Sequence, residues 1–193
     1  MSTLRVQNLT ATSVSNNVIR VVDGRLDRPG KIIQAHTVRS DVRTTYSALP
    51  SGNGTPVAQM NMGLFPRRAD SWVLVQWMLC GEMQNDCVWL IHQNDSVITT
   101  APYQGFNNLV GNTGRWVGYV AAGYDADDNS TPHNYFIQWY GPVGDTQPRI
   151  YTPAVRSSSS GSHTWALNRT LGSVGQDGHE NMISTGVIME IAA

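Results

Sequence analysis

The stretch SWVLVQWMLCGEMQNDCVWLIHQN, residues 71–94, decides the fold class of this chain. It is the longest apolar run, and it holds both cysteines and three of the six tryptophans. Gly81, Asn85 and Asp86 interrupt it in the middle, which predicts two buried strands folded back on a turn. A helix is the competing interpretation. Trp, Val and Ile favour a pleated surface, however, and a glycine followed by Asn-Asp would interrupt a helix.

The first of these two strands, residues 72–80, is apolar on both faces. An antiparallel strand in a two-sheet sandwich normally exposes its outer face to water. Something should therefore cover this face: the N-terminal segment, a long loop or another subunit. We expect another subunit, because the loops of this chain are polar. The candidate interface residues are Trp72, Leu74 and Met78, joined by Ile188 from the outer face of the last strand.

The two cysteines have a defined relationship in this hairpin. If it turns at residues 83–84, Cys80 lies opposite Cys87 as a hydrogen-bonded pair, which has the wider Cα separation. Two cysteines do not make a disulfide framework. We therefore expect two buried thiols, with a disulfide bond as the alternative.

Further strand patterns follow one another along the chain, with turn signals between them and no convincing amphipathic helix. About eight to ten short strands predict an all-β, antiparallel two-sheet sandwich of the jelly-roll kind, spanning residues 31–193. The predicted strands are residues 32–39, 57–65, 72–80, 88–93, 96–100, 116–122, 135–140, 149–155, 163–167 and 183–191.

Residues 1–30 differ from the rest because they contain no aromatic residue. They hold short strand patterns at residues 4–9 and 18–22, and Asp23-Gly24 after the second is a tight-turn signal. The segment is too short and polar to bury a core alone. We interpret it as an extended N-terminal anchoring or assembly arm. The alternative is a pair of ordinary edge strands of the main domain.

Composition excludes several classes of partner. The net charge is −1, so there is no electrostatic case for nucleic acid or an anionic membrane surface. No apolar span of about 18 residues occurs, and the N-terminus lacks the apolar core of a signal peptide. We therefore expect a soluble protein made in a cytosol.

Motifs for catalysis or metal binding are absent from the sequence: it has no phosphate loop, HExxH, CxxC or GxSxG, and its five histidines are scattered. Asp125, Asp127 and Asp128 have a spacing that could bind Ca²⁺, but the rest of an EF-hand is missing. A polysaccharide depolymerase would need paired carboxylates, and only these aspartates with Glu82 or Glu180 could supply them. We expect no catalytic residue, no metal and no cofactor.

Aromatic residues beside polar turns suggest glycan binding as a second possibility, because sugar rings stack on aromatic side chains. The same residues would equally serve a core and its rim. A free carbohydrate-binding module or lectin is thus an alternative function. The candidate glycan contacts are Tyr103, Phe106, Tyr124, Asp125 and Asp127.

Three segments resemble a known family. They are MSTLRVQNLTATSVSNNVIRVVDGRLDRPGKIIQ at residues 1–34, FPRRADSWVLVQWMLCGEM at residues 65–83, and HTWALNRT with STGVIMEIAA at residues 163–170 and 184–193. The opening PGxIIQ, the apolar strand after a polar turn, and the ending NR[ST] followed by MEIA are similar to small fibre and appendage proteins of marine and cyanobacterial tailed phages. In the second segment, Arg68 to Trp72 replace the family's usual small polar residues.

The resemblance implies a non-enzymatic jelly-roll module that forms homotrimers on virions. Asn168 would then close a turn, and Arg169 would pair with Glu190 or bond carbonyl groups at a subunit junction. The implied function is a trimeric fibre, spike or decoration component of a virion. Residues 1–30 would attach it to other virion proteins of the tail or capsid, and its distal loops would contact host surface polysaccharide.

Overall fold

The computed structural model describes residues 20–22, 25–27, 29–50, 52–98, 120–121, 131–172 and 180–193, with backbone alone at 20–22, 25–27 and 120–121. The strands are numbered in chain order, and one short 3-10 helix, Ala58–Met60, lies between β5 and β6. The strand bounds are β1 Arg20–Val22, β2 Arg25–Asp27, β3 Ile32–Ser40, β4 Thr44–Ala48, β5 Thr55–Pro56, β6 Met62–Leu64, β7 Trp72–Met83, β8 Cys87–Gln93, β9 Ser96–Val97, β10 Val120–Ala121, β11 His133–Pro142, β12 Arg149–Ser157, β13 His163–Leu167 and β14 Ser184–Ile191.

Two antiparallel sheets form the sandwich. Sheet 1 has the neighbour order β3, β14, β7, β11, and β13 with β4 joins it beside residues 81–83 of β7. Sheet 2 has the order β5 with β6, then β12, β8, β10, and β9 pairs with the end of β8. When β4, β9 and β13 are left out and β5 and β6 count as one, the remaining strands of the two sheets, numbered 1 to 8 along the chain, lie in the orders 1-8-3-6 and 2-7-4-5. That is the two-sheet jelly roll. The predicted fold class is therefore confirmed. β1 and β2 pair only with each other in the described part of the chain.

The predicted hairpin between residues 72–80 and 88–93 is wrong, because β7 and β8 lie in different sheets. β7 pairs with β11 on one edge and with β14 on the other, so no edge remains for β8. The connection at residues 84–86, with Asn85 at φ 68°, crosses from one sheet to the other. Cys87 consequently lies in the core, whereas Cys80 is on the outer side of sheet 1.

Both cysteines are free, buried thiols, as predicted. Burial raises the pKa of the Cys87 thiol to about 12, and it also raises that of Cys80. The Cys80 Sγ atom lies 3.1 Å from Asn134 Oδ1 and 3.3 Å from the Ile183 carbonyl oxygen. These contacts make Cys80 part of the packing at the start of β14.

Two short regions differ from the predicted strands. β4 had not been predicted, because its polar sequence TTYSA has only Tyr46 and Ala48 to mark a buried face. Residues 57–65 were predicted as one strand, but they form the 3-10 helix and the three-residue β6. Both regions lie at sheet edges, where the neighbouring strand enforces regular structure least.

The core between the sheets is rich in aromatic residues. Trp77, Trp89 and Trp165 are fully buried, and the Trp89 and Trp165 rings meet edge to face with centroids 4.9 Å apart. The inner face of β7, which alternates Val73, Val75, Trp77 and Leu79, is also fully buried. Each such aromatic ring removes roughly 150–250 Å² from water, which makes this layer the main source of stability.

Gly81, which interrupts the apolar stretch in sequence, is required by strand packing. A Cβ atom at this position would lie 2.0 Å from the Ala166 carbonyl oxygen on β13. β7 pairs with β13 at residues 81–83, on the same edge that β14 occupies further back. Glycine therefore lets β13 approach β7 closely at the point where the pairing of β7 with β14 ends and its pairing with β13 begins.

Candidate functional site

The outer face of sheet 1 carries an exposed cluster of apolar side chains at one end. Its members come from three adjacent strands and lie in cross-strand register: Tyr140 and Met189 flank Leu74, and Ile191 flanks Trp72. The Trp72 and Tyr140 rings stack with centroids 4.9 Å apart and an interplanar angle of 19°. Tyr140 is 37% exposed, and the other four side chains are half-buried. We call Trp72, Leu74, Tyr140, Met189 and Ile191 the apolar patch.

A groove of about 460 Å³ occupies the other end of the same face. Its floor consists of the short side chains of Thr37, Thr185 and Val187 on β3 and β14. Larger side chains form its two rims, Met78 and Phe136 on one side and Arg39 on the other. Phe136, Met78, Thr185 and Arg39 lie in one cross-strand row. Phe136 and Met78 are 49% and 40% exposed. The remaining lining residues are Val38, Gln76, Trp77 and Gly186.

The prediction of Ile188 as an outer-face residue is wrong. Ile188 is fully buried and pairs with Val75, so it belongs to the core. The inner face of β14 also carries Gly186, where a Cβ atom would lie 2.7 Å from the Trp77 ring. This face of β14 therefore lies inward because its small residue leaves room for Trp77, and the more apolar face of β14 points outward. Trp72, Leu74 and Met78 lie on the outer face as predicted, whereas Tyr140, Met189 and Ile191 had been missed.

Glu190 is the centre of a buried junction on the inner face of β14, on the opposite side of the sheet from Met189 and Ile191 of the apolar patch. Its carboxylate has no solvent exposure and accepts hydrogen bonds from Gln34 Nε2 and Ser71 Oγ, both at 2.6 Å. It also accepts the backbone N–H groups of Arg67 and Arg68 at 2.9 and 3.0 Å. Charged acceptors gain most from such bonds. The junction therefore fastens residues 65–71 and β3 to the end of β14.

The protonation of Glu190 follows from two opposing causes. Burial raises the pKa of this carboxyl group, because the charged form loses hydration. The hydrogen bonds from Ser71, from the Arg67 and Arg68 N–H groups and from Gln34 outweigh that effect, so the pKa lies below its ordinary value. Glu190 is consequently a structural anion at neutral pH.

Asn168 forms a second junction, between the end of β13 and the start of β14. Its backbone has φ 58°, and its Nδ2 donates to the carbonyl oxygens of Ser40 and Val42 at 2.9 and 3.0 Å. Ser184 Oγ donates to Asn168 Oδ1 at 2.6 Å. The expected turn-closing role of Asn168 agrees with this geometry, since asparagine tolerates a positive φ.

The predicted pairing of Arg169 with Glu190 is wrong. Asn168 contacts Ser184, and Glu190 lies six residue steps further along β14, a span of roughly 20 Å. The Arg169 Nε atom donates instead to the carbonyl oxygen of Thr170 in the same chain, at 3.1 Å. Arg169 is half-buried, and its bond closes the turn after Asn168.

Glu82, one of the candidate acids, is fully buried and serves as a staple between loops. One carboxylate oxygen accepts the backbone N–H of Thr131 at 2.7 Å, and the other accepts that of Leu171. Glu180 accepts the Thr170 hydroxyl on the neighbouring turn. A general acid or base needs a free position toward a substrate. Both oxygens of Glu82 are already occupied by the protein's own backbone.

The predicted glycan contacts Tyr103, Phe106, Tyr124, Asp125 and Asp127, and also Asp128, lie outside the described residues. Within the described ranges, no group of three or more His, Cys, Asp or Glu side chains could hold a metal ion. No helix in the same ranges is both long and apolar enough to cross a membrane.

Comparison with known proteins adds no family. No protein-family model matches the chain, and no curated protein sequence matches it. Among solved structures, that of the infectious bursal disease virus Gt strain aligns with 100% of this chain and 47% of its own, at 13% identity and a TM-score of 0.39. The Gx strain structure covers 91% of this chain and 41% of its own, at 14% identity and a TM-score of 0.36. The structure of the VP2 subviral particle of this virus covers 91% of this chain and 42% of its own, at 10% identity and a TM-score of 0.32.

This chain spans less than half the length of the chains it matches. At these identities and TM-scores the likeness carries no argument about function. The fold assignment rests on the strand order of the protein itself.

Proposed function

We propose that this protein is a non-enzymatic structural component of a phage virion: a fibre, spike or decoration subunit that assembles as a homotrimer and is attached through residues 1–30. The observation that carries the proposal is the apolar patch on sheet 1. A self-associating subunit needs such a face, because contiguous exposed apolar surface marks interaction sites in soluble proteins.

The sequence resemblance gives the virion role its support, and the structure explains what its motifs do. The opening segment PGKIIQ and the ending MEIA are adjacent, since Gly30 N donates to the Ala192 carbonyl oxygen and Ala192 N donates to that of Lys31, both at 2.8 Å. Gln34 and Ser71, from the first and second segments, both bond Glu190 of the third. The three segments thus meet at one end of the sandwich, where they both maintain the fold through Glu190 and supply Trp72, Leu74, Met189 and Ile191 to the apolar patch.

Attachment through the N-terminal arm is consistent with where the chain enters the domain. Residues 29–31 join the sandwich beside Ala192, at the end of β14 that also carries the apolar patch. An arm that starts here can reach a partner without crossing the groove at the other end of the face. Docking by the arm would add strand pairing to the contact, which is a general mode of protein attachment.

The two alternative functions make different demands on the structure. A depolymerase would need free carboxylates, and Glu82 is committed to two backbone N–H groups. A free carbohydrate-binding module would be a monomer, with no need of a subunit interface.

The test is the native mass of the purified chain, measured by light scattering and native mass spectrometry. We expect about three times the 21.2 kDa of one chain, and a monomer for Leu74→Lys. The matched control is Val42→Lys, because Val42 is 49% exposed and lies on the bend between β3 and β4, away from the patch. A monomeric wild-type chain, or equal masses for the two variants, would contradict the proposal.

A further inference from the structure

The groove on sheet 1 has chemistry that the apolar patch lacks. Its lining contains a single charged residue, Arg39. The guanidinium group of this residue has no hydrogen-bond or ion-pair partner in the part of the chain that the structure describes. The guanidinium group therefore stands exposed at one rim with its donors available. Arginine in this state is suited to carboxylate or phosphate, which it binds with two parallel hydrogen bonds.

The opposite rim is aromatic and apolar. Phe136 is 49% exposed and is paired across the strands with Met78, whose side chain is 40% exposed. An exposed ring beside a groove offers a flat surface on which another ring can stack. Three strand spacings separate Phe136 from Arg39, so their Cα atoms are roughly 14 Å apart.

The floor between the rims is shallow and carries hydroxyl groups. Thr37 and Thr185 are exposed, and Val187 is half-buried between them. The neighbouring Gln76 donates its amide to Gln138 at 2.9 Å, so this pair forms a fixed amide wall toward the apolar patch. A ligand lying on this floor would meet hydroxyl groups below it, a ring on one side and a cation on the other.

The size of the groove suits a small ligand. A volume of about 460 Å³ falls within the roughly 300–1,000 Å³ of most small-molecule sites. Such sites are mainly apolar with a few placed polar groups, which describes this lining. A subunit interface over the groove would instead be expected to lack an unpaired cation, because burying an unpaired charge is costly.

We propose that the groove binds an acidic saccharide: a sugar ring stacks on Phe136 while the carboxylate of the same or the adjoining sugar pairs with Arg39. Neutral sugars lack the anion, and purely apolar ligands do not use the hydroxyl groups of the floor. The site lies on the described face of sheet 1 and is separate from the loop residues predicted from the sequence. It does not depend on the oligomeric state, since the apolar patch occupies the other end of the face.

The test is titration of the full-length protein with oligogalacturonate and hyaluronate oligomers, using neutral dextran oligomers of equal length for comparison. We expect binding of at least one acidic oligomer, weakened at high salt. Arg39→Met and Phe136→Ala should each weaken it by at least about ten-fold, because a charge-assisted pair or a stacking surface is lost. Arg67→Met is the matched control, since Arg67 is an exposed arginine outside the groove.

Three results would overturn the proposal. One is no retention of either acidic oligomer by the wild-type protein at millimolar concentration. Another is equal affinity for Arg39→Met and Arg67→Met. The third is a changed native mass for Phe136→Ala or Arg39→Met, which would make the groove part of a subunit interface. The trimer proposal is judged separately, because it fails only if the wild-type chain is monomeric or the Leu74→Lys and Val42→Lys masses agree.

Discussion

The outer faces of the two sheets differ in what covers them. On sheet 2, Leu90 and Ala154 are 2% and 0% exposed, because loop 52–54 lies over them. The approach is so close that a Cβ atom on Gly54 would be 3.1 Å from Leu90 Cδ1. On sheet 1, the corresponding residues Met78 and Tyr140 remain 40% and 37% exposed.

Two polar side chains on the outer face of sheet 2 also bond within the chain. His92 Nε2 lies 2.7 Å from the Asn53 carbonyl oxygen, and Thr152 Oγ1 donates to Asn61 Oδ1 at 2.6 Å. The chain's own loop therefore covers the outer face of sheet 2 around Leu90 and Ala154, although Ile150 at the start of β12 is 50% exposed, whereas no such loop covers Met78 and Tyr140 on sheet 1 in the described part of the chain. This difference is the structural reason to expect that another molecule covers sheet 1.

The largest expected effect is a loss of unfolding free energy, and it is measured by truncating one large side chain on each outer face. Leu90→Ala should lower the free energy of unfolding by about 2–5 kcal/mol, because it leaves a cavity beneath loop 52–54. Met78→Ala should cost less than about 1 kcal/mol, since Met78 is already partly in water. Urea unfolding monitored by tryptophan fluorescence measures both. Equal losses would mean that sheet 1 is also closed by its own chain.

A smaller effect is expected at Glu190, which fastens residues 65–71 and β3 to the inner face of β14. Glu190→Gln should lower the free energy of unfolding at neutral pH by about 1.5–3 kcal/mol, the usual loss for charge-assisted hydrogen bonds. Because the folded-state pKa is depressed, this contribution is present above the unfolded pKa near 4.5 and is lost as the pH falls through the lower folded value.

The measurement is urea unfolding of the wild type and the Glu190→Gln variant from pH 7 down to pH 3. The wild type should lose its advantage over the variant below about pH 4.5. An advantage that persists unchanged to pH 3 would show that the carboxylate charge is not what holds residues 65–71.

The smallest effect concerns the amide pair between the patch and the groove. Gln138→Ala removes the bond from Gln76 on an exposed surface. The change in unfolding free energy should stay within about 0.5 kcal/mol, because water replaces an exposed partner. Thermal unfolding of wild type and variant checks this. A loss near that of Leu90→Ala would place the amide pair under cover.

The sequence predicted the fold class well, because alternation and turn signals act locally. It could not predict which strands pair, and β7 and β8 show why. Their short connection looks like a hairpin turn, yet β7 pairs with β11, β14 and β13, and β8 pairs with β12, β10 and β9. Most of these contacts depend on residues distant in sequence. Apolar content also assigned the wrong inner face to β14. Gly186 is inside because Trp77 needs space, and Glu190 because four donors converge there.

The residues of the candidate surfaces could be predicted from the sequence only where they belong to a single strand with a clear pattern. Trp72, Leu74 and Met78 follow from the two apolar faces of β7. Arg39 and Phe136 carry no such signal, because they line one groove only when β3 and β11 are placed on either side of β14 and β7. A groove assembled from four strands is a property of strand order.

The central claim, that another subunit covers the apolar patch, is tested most directly by methionine oxidation with hydrogen peroxide, read by mass spectrometry. Met189 lies in the patch, Met78 lines the groove, and buried Met60 and Met83 serve as internal controls. We expect Met189 to be protected in the wild type and reactive in Leu74→Lys, while Met78 reacts in both proteins. Equal reactivity of Met189 in the two proteins would contradict the claim.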